Sequence, residues 1–92
     1  MQPLMAYHEL YRATLQKWGV EAQYDQAVEE CAELITTLKH LKRGRVDEEA
    51  VAEELADVYL MTGQLVYMIG EERVAAAVER KIARLRGQLA SP

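Results

Sequence analysis

Apolar residues recur every three or four positions along most of the chain, which is the spacing that places them on one face of an α-helix. Four such segments follow one another, separated by glycines or by a helix-capping residue. No segment shows the strict apolar–polar alternation of a half-buried β-strand. The pattern therefore predicts a single all-α domain over residues 1–92, an antiparallel bundle of about four helices.

The first two predicted helices are separated by a glycine. The first runs roughly from Met5 to Lys17 and ends near Gly19. The second runs roughly from Tyr24 to Arg43, with basic residues in its last turn and Gly44 as a natural stop.

The third and fourth predicted helices form the second half of the chain. The third begins after Asp47, a good N-cap residue, and runs to about Ile69. Gly63 inside it marks a possible close contact with another helix. The fourth runs from about Glu71 to Leu85 or a little beyond, and the tail from Gln88 to Pro92 is expected to fray.

A chain of 92 residues buries only a modest hydrophobic core, so a lone monomer would be marginally stable. The third helix also carries apolar residues on more than one side: Tyr59, Met61, Val66 and Met68. We therefore expect the bundle to be completed by association into a homodimer or homotetramer.

Charge and composition exclude several classes of function. The net charge is −4, and no basic block offers the clustered Lys and Arg that nucleic-acid phosphates need. No apolar stretch approaches the roughly 20 residues that span a bilayer. Cys31 is the only cysteine, and Met1–Leu10 lacks the apolar run of a signal peptide. We expect a cytoplasmic protein that binds neither nucleic acid nor membrane.

Two acidic clusters carry the candidate chemistry. Glu29, Glu30 and Glu33 belong to the second predicted helix, and Glu54 and Asp57 to the third. Carboxylates three positions apart project from one face of a helix. At about 100° per residue, these acids lie beside the apolar stripes, whereas solvated acids normally lie opposite them.

The two clusters should also lie at a similar level. A short turn between the second and third helices implies antiparallel packing. The first cluster lies about 14 residues before that turn and the second about 10 after it, a mismatch of about 6 Å at about 1.5 Å per residue. Helix tilt and side-chain reach can close this gap, so four carboxylates can meet.

Four carboxylates at one place repel one another unless some are protonated or a cation neutralises them. An all-oxygen site suits a hard cation, first Mg²⁺ and second Mn²⁺. The alternative interpretation is that these are surface acids paired with Lys and Arg.

The spacing Glu29-Glu30-x-x-Glu33, a gap of 20 residues, then Glu54-x-x-Asp57 resembles the signature of the all-α NTP pyrophosphohydrolases. That superfamily includes MazG, the dimeric dUTPases, the dCTP pyrophosphatases and phosphoribosyl-ATP pyrophosphohydrolase. The segments EECAELI, EELADVYLMTGQL and KIARL resemble the MazG-like branch, and the similarity covers roughly Trp18 to Leu85.

The resemblance implies Mg²⁺-dependent cleavage of a nucleoside triphosphate to the monophosphate and pyrophosphate. It implies four metal ligands: Glu30, Glu33, Glu54 and Asp57. Glu29 would be a flanking acid, either a base for water or a ligand of a second metal. Lys81 resembles the basic residue of the last helix that contacts phosphate, and Arg84 is a candidate companion.

Two further residues are candidates for contact with the base or sugar. Gln23 precedes Glu30 by two helical turns on the same side of the helix. Trp18 can stack on a base, although a Trp at helical spacing is more commonly a core residue.

Two alternative functions stay open. A non-catalytic helical dimerisation module would keep the hairpin and the dimer. Phosphoribosyl-ATP pyrophosphohydrolase is the second alternative, but that branch usually carries Tyr-His soon after the aspartate, and here Val-Tyr-Leu-Met follows Asp57.

Overall fold

The computed structural model describes every residue from Met1 to Pro92. A short 3₁₀ turn, Leu4–Tyr7, leads into three α-helices and there is no strand. The helices are α1 (His8–Lys42), α2 (Glu48–Ile69) and α3 (Glu71–Ala90). The predicted all-α class is confirmed. None of the helices combines the length and the apolar composition that crossing a bilayer requires.

The first two predicted helices are joined into α1, with an interruption where the boundary was expected. Gly19 has φ 86° and ψ 170°, values outside the helical region, whereas the residues on either side are helical. Glycine adopts this positive φ without a steric penalty, so the chain changes direction within one residue. Residues 20–23, expected to be a connection, are helical.

The turn between α1 and α2 is built from local capping interactions. Gly44 has φ 70°, and its N–H donates to Leu41 O at 3.0 Å. The Asp47 side chain caps α2 by accepting a hydrogen bond from Ala50 N–H at 3.1 Å. Both signals were present in the sequence, and the start predicted for this helix is confirmed.

The α1–α2 interface contains a very close contact between helices. Gly63 faces the ring of Tyr11, and a Cβ atom at position 63 would overlap the Tyr11 side chain. The Tyr11 hydroxyl donates to Leu4 O at 2.9 Å. Gln64 Nε2 donates to Tyr11 O at 3.1 Å, and Thr14 Oγ1 donates to Gln64 Oε1 at 2.6 Å. The missing side chain at position 63 therefore lets a polar cross-link form between α1 and α2.

Helix α3 projects from the rest of the chain. It follows α2 after the single residue Gly70 (φ 121°), contacts α2 alone and does not pack against α1. The radius of gyration is 15.8 Å, compared with about 12 Å for a compact domain of this length. The tail predicted to fray from Gln88 is helical as far as Ala90. One chain therefore forms a helical hairpin with an arm, and not a closed four-helix bundle.

Candidate metal centre

Four carboxylates converge between α1 and α2. One oxygen from each of four residues lies within 4.8 Å of the others; the residues are Glu30, Glu33, Glu54 and Asp57. The first two project from α1 and the second two from α2. The convergence expected from the sequence is therefore present within one chain.

Local features of the sequence set this geometry. The spacing of three residues in each pair stacks two carboxylates one helical turn apart. The Gly44 turn and the Asp47 cap fix where α1 ends and where α2 begins. Since each residue advances a helix by about 1.5 Å, these two boundaries determine which positions on α1 and α2 lie level.

Two carboxylate oxygens in the cluster are fully buried and have no hydrogen-bond partner: Glu30 Oε2 and Glu54 Oε2. Both residues are half-buried overall, whereas Glu33 and Asp57 are exposed. The second oxygen of Glu30 accepts a hydrogen bond from Gln26 Nε2 at 2.7 Å. Buried polar atoms in folded proteins are nearly always paired, so these two oxygens call for a partner, either a proton shared with a neighbouring carboxyl group or a cation.

The electrostatics of the cluster agree with this. Burial raises the pKa of Glu30, the Gln26 hydrogen bond opposes that rise, and the nearby Asp57 and Glu33 carboxylates add to it. Burial also raises the pKa of Glu54, and repulsion from Glu33, Asp57 and Glu30 raises it further. The protein alone therefore disfavours the fully ionised cluster.

The donor set fits a divalent cation. All four side chains offer carboxylate oxygens, which hard cations such as Mg²⁺ and Mn²⁺ prefer. A cation among them would give the two buried oxygens their missing partner and would turn the repulsion into attraction. The exposed Glu33 and Asp57 keep one side of the cluster open to solvent.

Two further acids adjoin the cluster residues in sequence, Glu29 beside Glu30 and Glu53 beside Glu54. Glu29 and Glu53 are exposed, and neither is among the four converging residues.

The predicted phosphate-binding cations are elsewhere in this single chain. Lys81 and Arg84 are exposed on α3, where they line a small surface cleft of about 200 Å³ together with Ala77 and Arg80. This cleft shares no residue with the carboxylate cluster, and α3 does not touch α1. One chain therefore does not gather the cationic and acidic candidates at one site.

Gln23 and Trp18 line a larger cleft of about 520 Å³ between α1 and α2. Gln23 is buried, but Trp18 is 57% exposed, so the interpretation of Trp18 as a core residue is wrong. Gln26 also lines this cleft and donates to Glu30, so the cleft adjoins the carboxylate cluster.

Several of the cleft residues were missed from the sequence, among them Gln26 and Gln64. A signal for Gln26 existed, because it precedes Glu30 by four residues and therefore shares its helix face. No local signal marked Gln64, whose partners Tyr11 and Thr14 are 53 and 50 residues away along the chain.

No protein-family model, curated protein or solved structure matches this chain. The resemblance to the NTP pyrophosphohydrolases therefore rests on the paired acidic motif, its spacing and the segments EECAELI, EELADVYLMTGQL and KIARL.

Proposed function

We propose that this chain is a Mg²⁺-dependent nucleoside triphosphate pyrophosphohydrolase that cleaves NTP or dNTP to the monophosphate and pyrophosphate. The observation that carries the proposal is the cluster of four carboxylates with two buried, unpaired oxygens. Surface acids paired with Lys and Arg would not leave such atoms. In the cluster residues no ion pair with a basic side chain is present.

Each cluster residue has a role in this proposal. Glu30, Glu33, Glu54 and Asp57 would hold Mg²⁺, with Mn²⁺ as the alternative. When bound, such an ion neutralises phosphate charge and helps to activate an attacking water. Glu29, exposed beside the cluster, would accept the proton of that water. Gln26 orients the Glu30 carboxylate through its 2.7 Å hydrogen bond.

The cations of α3 would bind the phosphates of a substrate held mainly by a second copy of the chain. Lys81 and Arg84 are exposed and lie on one side of the apolar stripe of α3. If that stripe packs on another copy, the two cations lie at the rim of the contact, where they can approach phosphate. The proposal therefore includes a homodimer or homotetramer, and a nucleotide site that two chains line.

A cytoplasmic location is part of the proposal. Cys31 is free and exposed, and an exposed thiol persists in a reducing compartment. The cytoplasm is also where nucleoside triphosphates are abundant.

The direct test is a panel of NTPs and dNTPs, with phosphoribosyl-ATP included, incubated with the protein and Mg²⁺ while pyrophosphate is measured. We expect pyrophosphate release that EDTA abolishes. Glu54→Gln and Asp57→Asn should remove activity while far-UV circular dichroism stays unchanged. Glu53→Gln is the matched control, since Glu53 is exposed and outside the cluster.

Three results would contradict the proposal. Absence of pyrophosphate with every nucleotide would favour a non-catalytic helical dimerisation module. Activity retained in both Glu54→Gln and Asp57→Asn would contradict the assignment of the metal ligands. Turnover confined to phosphoribosyl-ATP would identify the second alternative enzyme.

A further inference from the structure

The cleft beside the carboxylate cluster has the size and lining of a site for a small aromatic molecule. Its volume of about 520 Å³ lies within the usual range for ligand pockets. Trp18 gives it an exposed aromatic face, and Met61 adds an apolar wall. Gln23 and Gln64, both more than nine-tenths buried, contribute polar groups to the lining. Aromatic rings and fixed amides together suit a nucleobase, which has flat faces and a polar edge.

The orientation of two glutamine amides in this cleft is fixed by their partners. The amide nitrogens of Gln23 and Gln64 donate to backbone carbonyl oxygens, which can only accept, so nitrogen and oxygen cannot be exchanged in these two amides. The hydrogen bonds of the three glutamine amides are Gln23 Nε2 to Thr14 O at 3.4 Å, Gln64 Nε2 to Tyr11 O at 3.1 Å, and Gln26 Nε2 to Glu30 Oε1 at 2.7 Å.

The amide oxygens differ in whether they already accept a hydrogen bond within the chain. Gln64 Oε1 already accepts a hydrogen bond from Thr14, whereas Gln23 Oε1 has no partner in the chain. The fully buried side-chain atoms without a partner are Glu30 Oε2 and Glu54 Oε2. Gln23 Oε1 also lacks a partner but is not one of these buried atoms, so it is accessible from the cleft that its side chain lines. The best-positioned free polar atom on the buried lining is therefore an acceptor.

We infer that this cleft selects nucleotides whose base carries an amino group at C4 of a pyrimidine or C6 of a purine, with Gln23 Oε1 accepting a hydrogen bond from that group. Guanine, whose amino group is at C2 and whose C6 carries a carbonyl, would be disfavoured. The inference rests on the proposed function and names its preferred substrates: nucleotides of cytosine or adenine. The 4-amino group of cytosine and the 6-amino group of adenine are both donors. Uracil, thymine and hypoxanthine present a carbonyl at the same position, which would place two acceptor oxygens against each other.

Trp18 allows the preference to be measured without catalysis or metal. It is the only tryptophan of the chain and lines the cleft, so its fluorescence reports ligand entry. The probes are two uncharged pairs, deoxycytidine with deoxyuridine and adenosine with inosine, which differ by an amino group replaced by a carbonyl. We expect about tenfold tighter binding of the amino member of each pair. The corresponding triphosphates should show the same ratio in kcat/KM.

The Gln23→Met variant tests whether Gln23 provides the acceptor oxygen. It removes the oxygen acceptor and nearly keeps the side-chain length, and we expect the ratio within each pair to fall close to one. Loss of folded protein would affect both members of a pair equally, so the ratio remains interpretable. Gln88→Met is the matched control, since Gln88 is exposed on α3 and outside the cleft.

The outcomes separate the inference from the proposed function. Hydrolysis with equal kcat/KM and equal binding within each pair would overturn the base preference and leave the enzyme assignment intact. A nucleoside preference that Gln23→Met abolishes, without hydrolysis of any triphosphate, would support the cleft and refute the enzyme. Three outcomes would overturn the inference. The first is no fluorescence response to any nucleoside together with equal kcat/KM within each pair of triphosphates. The second is a preference for the carbonyl member of a pair, and the third is an unchanged binding ratio in Gln23→Met.

Discussion

Glu30 Oε2 and Glu54 Oε2 are buried without partners in a cluster of like charges, so the ionised side chains oppose folding of the metal-free protein. Glu54→Gln removes one charge and supplies amide N–H donors for its acidic neighbours. We expect this substitution to raise the melting temperature in EDTA. It should also remove the stabilisation that Mg²⁺ gives to the original chain, because binding to the folded state alone raises stability.

Thermal unfolding followed by circular dichroism, with EDTA and then with Mg²⁺, checks this prediction. Glu53→Gln, an exposed change outside the cluster, should leave both melting temperatures close to those of the original chain. A lower melting temperature for Glu54→Gln in EDTA would mean that the Glu54 carboxylate stabilises the metal-free fold, contrary to the expected repulsion among the four carboxylates.

The pKa values of Glu30 and Glu54 predict the pH dependence of the metal-free protein. Both are raised above 4.5, chiefly by burial, so the folded state binds more protons than the unfolded state between 4.5 and the raised values. The free energy of unfolding must then rise as pH falls through that interval and decrease as pH increases through it. Above the raised pKa values the destabilisation is complete.

The measurement is thermal unfolding in EDTA at pH values from neutral down to about 5. Other groups also titrate in this range, so the informative quantity is the difference from the Glu30→Gln, Glu54→Gln double variant. We expect the advantage of the double variant to shrink as pH falls. An advantage that grows on acidification would show that the two pKa values are lowered.

At the scale of elements, the features that could be predicted are the ones encoded locally. The Gly44 turn, the Asp47 cap and the three-residue spacing of the acids each act within about one helical turn, and they determined the hairpin and the convergence of its carboxylates. Gly19 marked an interruption correctly, but the residues after it remain helical because only one residue needs a positive φ.

The features that could not be predicted depend on contacts between distant residues. The Gln64 hydrogen bonds to Tyr11 and Thr14 join positions at least 50 residues apart, and nothing local in either segment specifies the pairing. The position of α3 could not be predicted either, because an amphipathic helix packs equally well on its own chain or on a partner. The sequence pattern specifies the stripe but not what covers it.

The contact between α1 and α2 at Gly63 gives a prediction about helix packing. Gly63→Ala would place a methyl group within the Tyr11 side chain, so we expect a loss of about 1–3 kcal/mol in the free energy of unfolding. The opposite result is expected for Gly87→Ala, because position 87 is helical and has nothing within 4 Å. There the higher helix propensity of alanine should add up to about 1 kcal/mol.

Urea denaturation of the two variants measures both changes in the free energy of unfolding. The substitutions are chemically identical and both lie within helices, so helix propensity alone would change their stabilities in the same direction. Stabilisation by Gly63→Ala would mean that α1 and α2 separate easily at this point.

At the scale of the whole molecule, one chain does not enclose a core. Only five of 92 residues are buried, and two of these, Tyr11 and Ala27, are hydrophobic. Helix α3 leaves its stripe largely uncovered, with Val78, Leu85 and Leu89 exposed. Most helical stability in proteins comes from packing of an amphipathic face, so the proposed association would supply α3 with a surface that one chain does not give it. A second copy is the simplest source, and it would also bring Lys81 and Arg84 against another hairpin.

Leu85→Lys is therefore expected to weaken association. It places a charge in the α3 stripe, which should shift the protein from dimer or tetramer towards monomer in size-exclusion chromatography with light scattering. Ala83→Lys introduces the same charge about 160° around the same helix, away from the stripe, and should leave the assembly intact. If both variants match the original chain in mass, the stripe does not join subunits. If the Leu85→Lys monomer also loses pyrophosphate release while Ala83→Lys keeps it, the cations of α3 act across the interface.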